Sequence, residues 1–201
     1  MPTFQFFKAG KKVAQVVGAN PEALLKTIAQ FAGEIEVAEK EKDVDAPNGQ
    51  INLKSYIAQV DCLNQQTANT MKKMMDGKGW LESDVDEQLM ISISFNQPVK
   101  LHSLKISNTK EHSDQAPKTI KTFINQPALP SFEQGESGPN VEVLTNSGDM
   151  ISLKYVRYQS VHQLTLFVVD NQTDAETTII DSLVLYGTPV ETTNMKEWNK
   201  E

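Results

Sequence analysis

The heptapeptide Leu89-Met90-Ile91-Ser92-Ile93-Ser94-Phe95 has the alternation of a β-strand. Positions 89, 91, 93 and 95 are apolar or aromatic and two of the three residues between them are serine, which predicts one buried face. Further strands are predicted after it, at residues 99–106, 120–124, 141–144, 151–158, 164–169 and 179–186. Seven or more short strands separated by turn-rich loops predict an antiparallel β-sandwich. Residues 51–78, before the heptapeptide, are predicted to be irregular or short-helical.

The first 32 residues have a separate pattern. Residues 3–8 alternate around two phenylalanines, residues 12–17 are rich in valine, and Gly10 suits a tight turn between two strands. Asn20 as N-cap and Pro21 at the first helical position predict an amphipathic helix over residues 21–32. Residues 33–48 are highly charged and contain a Pro-Asn-Gly break, as expected of a linker. The predicted organisation is an incomplete α/β segment at 1–32, the linker at 33–48 and the sandwich at 49–198.

Composition narrows the class of protein. The chain has 201 residues, a net charge of −7, no signal-peptide pattern and no apolar run of membrane-spanning length, so we expect a cytoplasmic or nuclear protein. The single cysteine, Cys62, excludes an internal disulfide and a cysteine-based zinc cluster. The single arginine, Arg157, argues against nucleic acid as the main partner. No cofactor or membrane is implied, and we expect a monomer.

The N-terminal motifs resemble the C-terminal part of a thioredoxin domain. They are Met1-Pro2-Thr3-Phe4, Phe6-Phe7-Lys8, Gly10-Lys11-Lys12 and Val17-Gly18-Ala19-Asn20. The resemblance implies that Pro2 is the cis-proline position and that the redox Cys-x-x-Cys pair would lie upstream. No such pair is present, so we expect no catalysis from the chain as written. An orphaned hairpin favours a truncated version of a longer protein, in which Met1 is internal.

The β-region resembles the PITH domain of the thioredoxin-like protein 1 family. The motifs that carry the resemblance lie in order between residues 49 and 198. They include Asp61-Cys62-Leu63-Asn64, residues 81–89, residues 95–101, Ala116-Pro117-Lys118, residues 123–127, Leu153-Lys154-Tyr155-Val156, Gly187-Thr188-Pro189-Val190 and Thr193-Asn194-Met195. The resemblance implies a galactose-binding-like jelly roll that docks on the proteasome regulatory particle. Complete members add a working disulfide reductase of the thioredoxin type.

The resemblance names no docking residues, so we take long loops and the C-terminal tail as the expected contact surface. The candidates are Lys110, His112, Lys118, Phe132, Met195 and Trp198. Two alternatives stay open. One is that the authentic product is a longer, active disulfide reductase. The other is a jelly roll that binds a small ligand or sugar, with Trp80 and Trp198 as aromatic platforms.

Other side chains that could carry chemistry have simpler interpretations. Cys62 has no basic neighbour in sequence, which favours a buried structural thiol over a reactive one. The acidic run with carboxylates at 82, 84, 86 and 87 could bind Ca²⁺, but it lacks an EF-hand pattern and more simply is a solvated turn or a contact for basic partners. His102, His112 and His162 lack zinc-ligand spacing, and no Gly-x-Ser-x-Gly elbow indicates a hydrolase. No metal site is predicted.

Overall fold

The structure is a computed structural model that describes residues 3–8, 11–17 and 45–190. The chain divides into two compact units, Met1–Val44 and Asp45–Glu201, which are described separately. Several sequence-based predictions lie outside the described residues. They are the cis-proline position Pro2, the helix at 21–32, most of the linker, and the docking candidates Met195 and Trp198.

The first unit contains the two predicted N-terminal strands. Strand β1 (Thr3–Lys8) pairs antiparallel with β2 (Lys11–Val17), from Thr3 opposite Val17 to Lys8 opposite Lys11. The register shifts between Phe6 and Phe7, so the hairpin carries a bulge near its turn.

The second unit is mostly β. Its strands are β3 (Ile51–Asn52), β4 (Ile57–Leu63), β5 (Leu81–Glu82), β6 (Leu89–Ser107), β7 (Thr119–Ile124), β8 (Glu142–Thr145), β9 (Met150–Ser152), β10 (Val161–Val168), β11 (Ile179–Ile180) and β12 (Ser182–Pro189). Two short helices, α1 (Met71–Met75) and α2 (Phe132–Ser137), and three 3-10 turns connect them. Among the described residues no helix has the length and apolar character needed to cross a membrane.

Strand β6 connects the two halves of the sandwich. Its first half lies between β4 and β10, and β10 continues the sheet through β7 to β8. Its second half lies between β12 and β9, and β12 continues to β3. The predicted jelly-roll β-sandwich is therefore confirmed.

The prediction of two strands around Pro98 was wrong, because β6 runs without a break through 19 residues. The partner strand β10 changes register there, from Val161 opposite Val99 to Gln163 opposite Ser94. Proline supplies no N–H to a ladder, and it is tolerated where pairing is irregular. Pro98 lies at such a point, and its carbonyl accepts a hydrogen bond from the Val190 N–H at 2.9 Å.

Three other predictions of local structure need correction. Residues 51–78 contain the strands β3 and β4 besides α1; β4 exposes residues 58, 59, 61 and 63, and the adjacent exposed pair at 58 and 59 interrupts the alternation. The strand predicted at 151–158 is short, and residues 155–157 form a 3-10 turn. The loop at 126–138 contains α2, which begins with a capping box between Ser131 and Gln134.

The first half of β6 is buried on both faces, so the prediction of a single buried face was wrong. Ile91 and Ile93 point into the main core, whereas Met90 packs with Phe123 and Phe167 in a second cluster that Phe132 covers. A Cβ added to Gly135 would lie 2.9 Å from both the Met90 and the Phe167 side chains. Helix α2 can therefore approach this outer face closely only because position 135 has no side chain.

Candidate functional site

Two sequence-predicted residues, Trp80 and His112, come together in the second unit. Their ring centroids are 5.1 Å apart, with a tilt of 52° between the planes. The His112 Nδ1 atom lies 2.8 Å from Asp181 Oδ1 and 3.0 Å from Oδ2. We call the side chains of Trp80, Glu82, His112 and Asp181 the polar corner. Residue 80 directly precedes β5, residue 112 ends the 3-10 turn at 110–112 that follows β6, and Asp181 separates β11 from β12.

The carboxylates of the polar corner are satisfied from within the protein. The Thr109 N–H donates to Asp181 Oδ2 at 2.7 Å. Burial raises the pKa of Asp181, but hydrogen bonds from Thr109 and His112 outweigh it and hold that pKa below its usual range. Glu82 Oε2 accepts from Trp80 Nε1 at 3.1 Å and from Asn69 Nδ2 at 2.7 Å. The polar groups of the corner therefore bond to one another and to the backbone. A sugar ligand would have to compete with these internal hydrogen bonds.

Of the other predicted docking residues, Lys110, Lys118 and Phe132 lie in the described part of the chain, and no observed contact joins these three into one surface. Lys110 is exposed on the 3-10 turn that also holds His112. Lys118 is exposed too, and its backbone N–H donates to the Asp170 carbonyl at 3.0 Å. Phe132 is half-buried on α2, with its ring centroid 6.0 Å from that of Phe167. Its ring therefore contributes to the second apolar cluster.

The acidic run forms an ordered, solvated turn before β6, which we call the 84–87 loop. Asn64, in the left-handed region at φ 62°, donates from Nδ2 to Asp86 Oδ1 and to the Gln88 carbonyl, both at 2.7 Å. Its Oδ1 accepts from the Val85 N–H at 3.1 Å. Val85 is 83% exposed at the tip. Across residues 3–8, 11–17 and 45–190, no group of three or more His, Cys, Asp or Glu side chains could hold a metal ion.

Cys62 lies at the edge of the main core. Its side chain is half-buried against the main core, and its Sγ lies 3.5 Å from the Leu63 carbonyl oxygen. Burial raises the pKa of the Cys62 thiol to about 12. Because the thiolate is the reactive form, this thiol is a poor nucleophile at neutral pH.

A shallow cavity between α1 and β12 offers little to a small ligand. Its volume is about 170 Å³, below the roughly 300 Å³ at which ligand pockets usually begin. Six of its nine lining residues are apolar, namely Ile57, Met74, Met75, Leu183, Val184 and Leu185, and the other three are Asn52, Lys54 and Ser182. Trp80 is not among the lining residues.

Among the residues whose exposure the structure describes, the most exposed apolar side chain outside the 84–87 loop is on residues 154–157, which we call the 154–157 turn. Val156 is 83% exposed and Tyr155 is 38% exposed, although both lie between strands that build the core. The Tyr155 ring centroid is 6.1 Å from that of His102 on β6. One face of the turn is thus covered, while the valine points outward.

A buried polar network anchors the 154–157 turn. Tyr158 is fully buried, and its hydroxyl lies 2.7 Å from Thr122 Oγ1 and 3.5 Å from Glu142 Oε2. The same Glu142 oxygen accepts from the Lys154 N–H at 3.0 Å. Burial raises the pKa of Tyr158 to about 12, opposed by the Thr122 hydrogen bond and reinforced by the Glu142 charge. The hydroxyl therefore stays protonated at neutral pH and remains available as a donor.

Backbone hydrogen bonds and one side chain fix the rest of the turn. The Leu153 N–H donates to the His102 carbonyl at 2.9 Å, and the Leu101 N–H donates to the Tyr158 carbonyl at 3.0 Å. The Arg157 guanidinium donates to the Val141 carbonyl. These hydrogen bonds hold the turn in a conformation that leaves Val156 exposed.

Basic side chains flank the exposed pair in sequence and lie on the neighbouring strand β6. Lys154 and Arg157 flank it in sequence, and both are exposed. Lys100 and His102 alternate on β6 with the buried Leu101, so they share one face of the strand beside the turn. Sequence reasoning missed this surface because it predicted a strand over 151–158. The signal that could have found it is Val156, which follows Tyr155 directly, breaks the alternation of Ile151, Leu153 and Tyr155, and is followed by Arg157.

Comparison with known proteins identifies one relative that covers nearly the whole chain and others that cover parts of it. The PITH domain family pattern matches residues 43–201. Thioredoxin-like protein 1 of Schizosaccharomyces pombe is 39% identical over 203 residues, covering 94% of this chain and 70% of the relative. PITH domain-containing protein CG6153 of Drosophila melanogaster is 33% identical over 123 residues, covering 56% of this chain and 57% of the relative. The thioredoxin of Rattus norvegicus is 59% identical over 32 residues, which are 16% of this chain and 30% of that protein.

Solved structures with similar folds are carbohydrate-binding modules. The family 32 CBM from Clostridium perfringens NanJ, solved in complex with galactose, superposes with a TM-score of 0.52 at 7% identity. The superposition covers 68% of this chain and 98% of that module. A structure of CBM32-1, CBM32-2 and M60 catalytic domains from the same organism's ZmpB reaches 0.55 at 10% identity, over 83% of this chain and 18% of that one. At these identities the likeness concerns the fold alone.

Proposed function

We propose that this chain, which belongs to the PITH-domain family of thioredoxin-like proteins, is a protein-docking component whose partner is the proteasome regulatory particle. Docking is an activity of the β-sandwich and needs no redox cysteine. The proposed setting is the cytoplasm and nucleus, with a monomeric chain bound to the larger assembly.

The observation that carries the proposal is the 154–157 turn. An 83% exposed valine is held in place by a buried network of Tyr158, Thr122 and Glu142. The exposed Val156 and the partly exposed Tyr155 ring offer adjacent apolar area on an ordered frame, which a protein partner can cover. The shallow cavity and the internally satisfied polar corner supply no comparable site for a small ligand or for catalysis.

A sugar-binding function is the alternative that the fold neighbours suggest, since the NanJ module was solved with galactose. In this chain, Trp80 packs on His112 and donates its indole N–H to Glu82. Its ring edge and its polar neighbours are therefore already engaged. A glycan array tests the alternative: binding lost on Trp80→Ala would support sugar recognition, and silence across the array removes it.

A longer, redox-active product is the second alternative, and it rests on the thioredoxin likeness of the N-terminal segment. The intact mass of the protein, captured from its own cells by an antibody against the β-sandwich, tests it directly. A product heavier by a thioredoxin head, with two cysteines that alkylate only after reduction, would make the docking module the carrier of a disulfide reductase.

The docking proposal is tested by binding of the full chain to purified proteasome regulatory particle. We expect co-sedimentation that saturates with chain concentration and that an excess of unlabelled chain displaces. A folded chain that stays in the supernatant at micromolar concentrations of both components would contradict the proposal.

A further inference from the structure

We propose that the 154–157 turn, with Lys100 and His102 beside it, is the contact surface for an acidic segment of the protein partner that carries an apolar side chain. The inference rests on the proposed docking function and names the surface and the chemistry of the partner. It differs from the sequence-based expectation, which took Lys110, His112 and Lys118 as contact residues.

The exposed apolar surface of the turn favours a partner that covers it. Folding removes little of the Val156 side chain from water, because the residue remains 83% exposed. Covering Val156 and the exposed part of the Tyr155 ring would remove apolar surface from water, which favours association. Since the turn is already fixed by the Lys154 and Leu153 backbone hydrogen bonds, a partner would meet an ordered surface and would lose little entropy in ordering it.

The positive charge near the turn favours an acidic partner segment. The whole chain carries a net charge of −7, yet Lys154 and Arg157 flank the exposed pair, and Lys100 lies on the adjacent strand. Lys154 Nζ is 3.6 Å from the Glu142 carboxylate, which offsets part of its charge. The Arg157 guanidinium donates to the neutral Val141 carbonyl. A guanidinium has further N–H donors in a planar fork, and carboxylates match that fork geometrically.

The small number of cations at the turn favours a protein partner over nucleic acid. A nucleic-acid surface needs several cations to neutralise phosphates, and its affinity depends on them collectively. Here the cations are few and the surrounding chain is acidic. Two adjacent apolar side chains with two or three cations fit a peptide segment in which an apolar residue lies between carboxylates.

Matched valines provide the decisive experiment. Val85 and Val156 are both 83% exposed, but Val85 lies in the acidic 84–87 loop and Val156 lies among cations. The full chain, as wild type, Val156→Ser and Val85→Ser, is titrated against purified regulatory particle. We expect Val156→Ser to weaken binding by about tenfold or more and Val85→Ser to change it less than about twofold. Equal effects of the two substitutions would overturn the proposal.

A second pair of variants tests the charge. Arg157→Glu and Lys110→Glu make the same charge reversal at two exposed positions, each on a 3-10 turn. We expect a loss of binding in Arg157→Glu and near-wild-type binding in Lys110→Glu. The opposite order would restore the sequence-based assignment. Binding of the wild-type chain should also weaken as NaCl is raised, and less steeply so in Arg157→Gln.

The outcomes separate the two proposals. If the wild-type chain does not bind the regulatory particle, the docking function itself fails. If the wild type binds and both Val156→Ser and Arg157→Glu bind equally well, docking stands and this surface is wrong. A single-stranded 20-mer oligonucleotide serves as the remaining probe; binding to it that depends on Arg157, with docking to the particle unaffected, would overturn the choice of an acidic protein segment.

Discussion

The polar corner and the 154–157 turn resemble each other in composition but differ in what they leave exposed. Each combines an aromatic ring, a histidine, and a carboxylate that accepts a backbone N–H. In the corner, Trp80, Glu82 and Asp181 all bond within the protein. In the turn, the internal bonds are made by Glu142 and Tyr158 underneath, and Val156 is left outside.

The difference shows where a sequence motif serves the fold and where it can serve a partner. A buried polar group without a hydrogen bond destabilises the folded state, so the hydrogen bonds of the polar corner contribute to the free energy of unfolding. An exposed apolar side chain has no such role in the fold. Substitutions in the corner should therefore affect stability, substitutions at the tip of the turn should affect binding, and substitutions in the anchor beneath the turn should affect both.

Glu142→Ala should have the largest effect. It removes the acceptor of the Lys154 N–H and of the Tyr158 hydroxyl contact, both in a buried setting. We expect the free energy of unfolding to fall by about 2–4 kcal/mol and docking to weaken as well, because the turn loses its anchor. Urea denaturation of the two proteins measures the change. Glu133→Ala, at an exposed position of α2, is the matched control.

A drop below about 1 kcal/mol for Glu142→Ala would mean that the network does not hold the turn. The hydrogen bonds of Glu142 would then not explain why Val156 is held in an exposed position.

Trp80→Ala tests the opposite side of the comparison. The substitution removes the ring that packs on His112 and the N–H that Glu82 accepts. We expect a loss of about 2 kcal/mol in the free energy of unfolding, less than for a fully buried tryptophan because Trp80 is only half-buried. Docking of the folded fraction should be unchanged. Trp80→Phe, which keeps a ring against His112, should lose less, and impaired docking in both variants at a temperature where they are folded would place the corner in the interface.

The low pKa of Asp181 makes the corner sensitive to acid. A carboxyl whose folded pKa lies below its unfolded value stabilises the fold above the unfolded value, and this stabilisation disappears as pH falls through the folded pKa. Asp181→Asn should therefore cost about 1 kcal/mol at pH 7 and less near pH 3, because the contribution declines as pH falls below the unfolded pKa. Urea denaturation at both pH values measures this, with Asp84→Asn in the exposed loop as control. A cost that is the same at both pH values would show that the charge of Asp181 contributes nothing.

The sandwich could be predicted from sequence because strand alternation is local. The pattern at 89–95 and the strands at 120–124 and 164–169 correspond to β6, β7 and β10. What could not be predicted depends on partners distant in the chain. The continuity of β6 through Pro98 follows from a register change in β10, and the burial of Met90 follows from α2.

The site was less predictable than the fold for the same reason. His112 finds Asp181 across 69 positions of sequence, and Tyr158 finds Thr122 across 36. No local sequence pattern predicts either of these contacts. Sequence reasoning could select Trp80 and His112 as chemically able residues, but only the packing shows that the corner is occupied and that the 154–157 turn is open.

The smallest expected effect on stability belongs to the two valines that carry the binding experiment. Val85→Ser and Val156→Ser should each change the free energy of unfolding by less than about 0.5 kcal/mol, because neither side chain is buried. Thermal and urea denaturation check this before any titration. If Val156→Ser were strongly destabilising, its side chain would serve the fold after all. If both variants are as stable as the wild type, a difference in docking between them reflects the surroundings of the valine: carboxylates in the 84–87 loop and cations in the 154–157 turn.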